Sequence, residues 1–119
     1  MKLDHMVIMA HSLEASLPWY EALLGLIGFI KSRDHVWGNE DGVFIDLMQA
    51  PDRDARYGRN FPGLNHLGFT APDEAALDAV RGGMEAAGFE VPAKQHFGDM
   101  TATFFRDPDG MRVEVTVYG

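Results

Sequence analysis

The chain of 119 residues contains no cysteine. Disulfides, thiolate metal sites and a cysteine nucleophile are therefore excluded. Nor does it contain an apolar run of the roughly 20 residues that a membrane span needs. Its first residues lack a signal-peptide pattern, because a β-prone stretch bearing a histidine begins almost at once. A soluble, intracellular (cytoplasmic) protein without a membrane partner is expected. Positive charge is scarce, with 10 Lys and Arg against 18 Asp and Glu and a net charge of −8. Such a balance argues against nucleic acid, whose phosphates would be repelled, and favours uncharged or cationic small ligands. What the chain does have is 46% hydrophobic residues, enough for one compact core at this length.

The end of the chain carries the clearest local signal. Asp107-Pro108-Asp109-Gly110 is a turn: Pro108 presets one backbone angle and Gly110 supplies a positive one. The following residues alternate, with Met111, Val113, Val115 and Val117 on one face and Arg112, Glu114 and Thr116 on the other. Asp41-Gly42 and the run 43–48 repeat this arrangement, and Asp46 follows Gly42 at the same spacing as Glu114 follows Gly110. Leu3-Asp4-His5-Met6 matches Leu64-Asn65-His66-Leu67, and Gly28-Phe29 matches Gly88-Phe89. The chain is read as an internal duplication, each half holding one mid-strand histidine and one mid-strand carboxylate. Module 1 is expected over about 1–49, a linker over 50–63 and module 2 over about 64–119, within one domain.

In order, residues 2–10 read as a strand. Ser12 offers a helix cap, and Leu13, Leu17, Tyr20 and Leu24 recur at helical spacing until Gly25. Pro18 conflicts with a helix interior, so the helix is expected to start near Ser16 or to be kinked. Strands are expected at 29–33, around 35–38 and at 43–48. The linker has no period and holds Arg53, Arg56 and Arg59, read first as solvated charge and second as a cluster steering an anionic group. In the second half a strand over 64–70 precedes a helix whose face is Leu77, Val80, Met84 and Ala87, ended by Gly88. Gly82-Gly83 weakens that helix by about 1 kcal/mol per glycine relative to alanine. Strands follow near 90–94, 101–106 and 111–118. Gly88 to Gly110 is eight residues longer than Gly28 to Gly42, which places an insertion around 95–100, with His96, Phe97 and Asp99 in a loop.

Strand parity tests whether the four polar residues share a surface. If Met6, Ile8, Ile45, Leu47, Leu67, Phe69, Val113 and Val115 face the helices, then His5, Asp46, His66 and Glu114 all face the opposite way. Singly, each histidine reads as a hydrogen-bonded core group, and each carboxylate as a solvent-facing or ion-paired residue, for instance with Arg112. Together, preserved in both halves on one face, they suit a divalent metal, with Zn, Ni, Mn and Fe(II) all compatible with imidazole and carboxylate donors. His11, His35 and His96 sit in turn or loop contexts, and Trp19, Tyr20, Trp37 and Phe104 read as core or cavity wall.

These features resemble the vicinal oxygen chelate superfamily, which includes glyoxalase I, extradiol dioxygenases, epimerases, thiol transferases and bleomycin-binding proteins. The resemblance rests on the paired strand-helix-strand-strand-strand order, Trp19-Tyr20 before Leu24-Gly25, Leu64-Asn65-His66-Leu67-Gly68-Phe69, and the Asp107 to Gly110 turn before Glu114. It implies an α+β fold of two βαβββ modules forming a cupped eight-stranded mixed sheet with helices outside, often completed by dimerisation. By the same resemblance His5, His66 and Glu114 match the metal ligands of catalytic members. Asp46 matches a position usually held by glutamate or glutamine. One methylene shorter, it has three roles open: ligand through water, base, or a group out of reach. The implied activity is a metal-dependent lyase or isomerase of the glyoxalase I type, stabilising an enediolate-like intermediate of a small substrate, with Glu114 or Asp46 as base. The alternatives are a bleomycin-resistance-type binding protein, or an Fe(II) dioxygenase or thiol transferase of the same superfamily.

Overall fold

The computed structural model describes residues 1–119. In chain order its elements are β1 (His5–Ala10), α1 (Leu13–Leu26), β2 (Ile30–Arg33), β3 (Val36–Gly38), β4 (Phe44–Gln49), β5 (His66–Thr70), α2 (Glu74–Ala86), β6 (Gln95–Phe97), β7 (Met100–Arg106) and β8 (Arg112–Val117). The eight strands form two four-stranded mixed sheets, ordered β1-β4-β3-β2 and β5-β8-β7-β6. Two compact units result, Met1–Arg56 and Tyr57–Gly119. No helix is long and apolar enough to cross a membrane.

The duplication is visible in the register. β1 and β4 are parallel with His5 opposite Phe44 and Val7 opposite Asp46. β5 and β8 are parallel with His66 opposite Arg112 and Gly68 opposite Glu114. In both units the histidine and the carboxylate are therefore diagonal neighbours on one sheet face. The other face packs against the helix: Ile8, Ile45 and Leu47 are buried in the first unit, Val113 and Val115 in the second, and Met6, Leu67 and Phe69 are half-buried. Trp19, Tyr20, Leu23 and Leu24 of α1 and Leu77, Val80 and Met84 of α2 complete the two cores.

Both helices begin and end by the same means. Ser12 Oγ accepts from the Ala15 amide at 3.2 Å, and Asp73 Oδ1 from the Ala76 amide at 2.8 Å. At the other end Phe29 N donates to Leu24 O and Phe89 N to Met84 O, across Gly28 (φ 96°) and Gly88 (φ 87°). Gly28, not Gly25, thus ends α1, and Gly25 lies within it. Nor does α1 begin at Ser16. It runs from Leu13 with Pro18 inside, and Pro18 lies on the exposed side, where water can satisfy the carbonyl left without a donor. Ala87 is exposed and only caps α2.

The first strand after α2 is not at 90–94. That segment is unpaired, and β6 occupies Gln95–Phe97, so His96 and Phe97 lie on a strand and only Gly98 and Asp99 turn. Pro92 has no amide hydrogen to give a ladder. Its carbonyl instead accepts from Arg81 Nη1 at 2.6 Å, and Lys94 bridges Asp78 and Glu74 of α2 at 2.6 and 2.8 Å. Hydrogen bonding to Asp78 and then to Glu74 raises the Lys94 pKa. Pro92 and Lys94 are thus held to the helix, while Glu90 reaches Arg106 at the end of β7. Five of the eight extra residues precede β6 and three lengthen the β6–β7 hairpin.

Candidate metal centre

In the second unit His66 and Glu114 meet, with Nε2 of the imidazole 3.2 Å from Oε1 of the carboxylate. Gly68 lies opposite Glu114, and a Cβ there would meet Glu114 Oε1 at 3.8 Å, an ordinary contact distance. The edge of the Phe104 ring borders His66, with ring centres 5.8 Å apart. Thr116, buried and two residues along the same strand, donates its hydroxyl hydrogen to Glu114 Oε2.

The protonation of His66 follows from its neighbours. Asn65 Nδ2 donates to the Arg59 carbonyl at 2.6 Å, which turns its Oδ1 toward His66 Nδ1 at 2.8 Å. An acceptor at Nδ1 fixes the proton there and leaves Nε2 with its lone pair. Nε2 and the Glu114 oxygen are then two acceptors facing each other at 3.2 Å. Such a contact is repulsive unless a cation lies between, either a second proton on the imidazole or a metal ion. Two ligands each about 2.1 Å from one ion stand roughly 3.0–3.4 Å apart, so the spacing suits a metal. Second partners on Asn65 and Thr116 orient the two donors as metal ligands are commonly oriented.

In the first unit His5 and Asp46 do not touch but border one open cavity of about 520 Å³. Val7 and Phe44 form its apolar walls, and Asp4 and Arg33 also border it. Asp4 Oδ2 lies 2.7 Å from His5 Nδ1. A carboxylate can only accept, so Nδ1 carries the proton and the exposed Nε2 is again the free nitrogen. The Asp46 carboxylate enters no side-chain hydrogen bond or ion pair. Gly38 lets the Phe44 ring lie across β3, since a Cβ at that position would stand 2.6 Å from the ring.

The four residues thus occur as one pair in contact and one pair sharing a cavity. Within neither unit do three histidine, aspartate or glutamate side chains gather closely enough to hold a metal ion. Glu114 pairs with His66 and not with Arg112. Trp19, Tyr20 and Trp37 are core, and Phe104 is half-buried on the His66 face. Of the other histidines, His11 Nδ1 lies 3.2 Å from Arg56 Nη1, His35 sits at φ 66° in the β2–β3 turn, and His96 approaches Thr101 Oγ1 at 3.2 Å. The sequence pattern assigns no role to Asp4, Asn65 or Thr116, although a polar residue precedes each repeated histidine and Thr116 shares the Glu114 face.

Beside this pair lie two arginines. Arg112 is opposite both His66 on β5 and Arg106 on β7, so both arginines share the His66 face. Burial, and then the nearby Arg59 and Arg106, lower the Arg112 pKa. Tyr57 Oη is shared between the Leu64 and Asn65 carbonyls at 2.7 and 2.8 Å. Burial and then Asp107 push its pKa up, against the opposing pull of Arg59 and Arg112.

Known proteins share this architecture. The structure is similar to a glyoxylase/bleomycin resistance protein/dioxygenase domain from Frankia sp. EAN1pec, with a TM-score of 0.80 at 21% identity, covering 100% of this chain and 93% of that one. It is similar to lactoylglutathione lyase from Agrobacterium tumefaciens, with a TM-score of 0.68 at 21% identity, covering 98% and 92%. In sequence it is 25% identical over 128 residues to Glyoxylase I 4 of Arabidopsis thaliana, covering 95% of this chain and 68% of that protein. The family model of the Glyoxalase/Bleomycin resistance protein/Dioxygenase superfamily matches residues 2–115, and the chain belongs to that superfamily.

Proposed function

We propose that the protein is a metal-dependent lyase or isomerase of the glyoxalase I type, acting on a small oxygen-bearing substrate. His5, His66 and Glu114 are its ligands for a divalent ion, and Asp46 is the general base. The observation that carries this reading is the approach of His66 Nε2 to Glu114 Oε1 at 3.2 Å, with the other imidazole nitrogen held by Asn65 Oδ1. The Glyoxylase I 4 and lactoylglutathione lyase likenesses favour the same reaction class. A homodimer supplies a second copy of each pair. Val7, Met9, Phe44 and Met48 on the His5 face of the first unit are all exposed, and such an apolar patch favours association.

A bound divalent ion supplies positive charge beside the substrate oxygens, lowering the cost of the negative charge that develops when a carbon-bound proton leaves. The protein's own groups divide the remaining work. Glu114 has both oxygens engaged, one toward His66 and one by Thr116, which suits a ligand. Asp46 has a carboxylate without partners beside an open cavity, which suits a base that must approach a C–H bond. Asn65 and Asp4 engage Nδ1 of the two imidazoles and leave Nε2 of each for a ligand bond.

The test is proton–deuterium exchange at carbon in a panel of small α-hydroxycarbonyl compounds, measured beside metal content. Asp46→Asn is expected to keep the metal and lose exchange, and Glu114→Gln to lose the metal. Undiminished exchange in Asp46→Asn would remove that residue from the mechanism.

A further inference from the structure

The arginines beside His66 are out of keeping with a chain of net charge −8. Arg106, Arg112 and His66 are cross-strand neighbours on one face, so their side chains emerge side by side. Arg59 is brought to the same end of the sheet by two contacts of its loop: Asn65 Nδ2 to the Arg59 carbonyl, and Tyr57 Oη to the carbonyls of Leu64 and Asn65. Cations held together are costly unless something negative joins them, and the carboxylates in the vicinity are already engaged. Glu114 serves His66, and Glu90 is the 3.5 Å partner of Arg106. Asp107 is buried, and its Oδ1 accepts from the amides of Asp109 and Met111. Neither Arg59 nor Arg112 joins an ion pair, and Arg112 is half-buried.

We propose that Arg59 and Arg112, flanked by Arg106, form a subsite for an oxyanion, the carboxylate or phosphate of a substrate whose reacting end lies at His66 and Glu114. Guanidinium groups present planar forks that match both anions. Arg112 and Glu114 are two residues apart on one strand, about 7 Å. The substrate is therefore a compact acid, with its anionic group a few bonds from the reacting carbon. As a substrate subsite this rests on the metal-centre reading; as an anion site it does not.

The experiment uses the full chain stripped of metal by chelator, with inorganic phosphate and, separately, acetate as probes, followed by calorimetry and by amide chemical shifts of residues 57–66 and 112. Saturable binding is expected, weakened about tenfold to a hundredfold in Arg112→Gln and in Arg59→Gln, since each loses a charge-assisted contact. Arg59 is on an exposed loop, so its replacement tests the site even if the strand variant folds poorly. Arg53→Gln, in the other compact unit, is expected to bind as the wild type does. Preference for phosphate or for acetate identifies the anion. No saturable binding of either probe, or equal affinity in wild type, Arg112→Gln and Arg59→Gln, would overturn the proposal. Because the protein carries no metal in this assay, that failure is separate from failure of the metal centre.

Discussion

Thr116→Val removes one hydroxyl and almost no volume. Thr116 is 3% exposed and donates to Glu114 Oε2, so the substitution leaves one carboxylate oxygen without its donor. A hydrogen bond to a charged group contributes about 1.5–3 kcal/mol. The Glu114 side chain is 13% exposed, so water replaces only part of this. A loss of about 1.5–2 kcal/mol in holding Glu114 toward His66 corresponds to metal binding weaker by roughly ten- to thirtyfold. That range agrees with the tenfold to hundredfold typical of partners behind metal ligands. Competition between the stripped protein and a chromophoric chelator for zinc measures it, with Thr116→Ser, which keeps the donor, as the comparison. Affinity in Thr116→Val equal to wild type, or equal weakening in both variants, would refute the role given to the hydroxyl.

Gly38→Ala sets a Cβ 2.6 Å from the Phe44 ring, which is 37% exposed and able to swing, so a stability loss of about 1 kcal/mol is expected in thermal unfolding. An unchanged midpoint would show that the ring does not rest on β3. For Tyr57 the folded pKa lies above the ordinary value of 10.0, so the folded state favours the neutral phenol. Its contribution to stability is complete below that value and is lost as pH rises through the folded pKa. Alkaline absorbance titration is expected to show a component that ionises above 10.0 and disappears in Tyr57→Phe. Light scattering at micromolar concentration is expected to find a dimer, and monomer alone would contradict the proposed assembly.

The repeat was legible because it is written in residue identity and strand parity at once. His5, Asp46, His66 and Glu114 share parity with their strands, and a slip of one residue would have scattered them. The boundaries of α1 and the place of β6 were not legible, for different reasons. Gly25 and Gly28 look alike in sequence, and only the chain's path shows that Gly28 must take a positive φ. Glu90 to Lys94 alternates like a strand, but Pro92 and the Lys94 contacts with Asp78 and Glu74 hold it to α2. The differences between the halves were hidden as well. Phe44 and Arg112 occupy equivalent positions, as do Val7 and Gly68, so one half presents an apolar wall and the other its arginines. Net charge was a poor guide to those arginines, because fields between exposed charges fade over about 10 Å and a local cluster dominates its own surroundings.

Metal content by elemental analysis, on wild type, His5→Ala and His66→Ala purified without chelator or affinity histidines, tests the metal centre most directly. About one divalent ion per chain in the wild type, lost in both variants, is the expected result. The element found would separate isomerase from oxygenase chemistry. Wild-type protein that holds no ion after reconstitution with Zn, Ni, Mn and Fe(II) would contradict the metal centre and turn the cavity beside His5 and Asp46 into a binding site for small ligands.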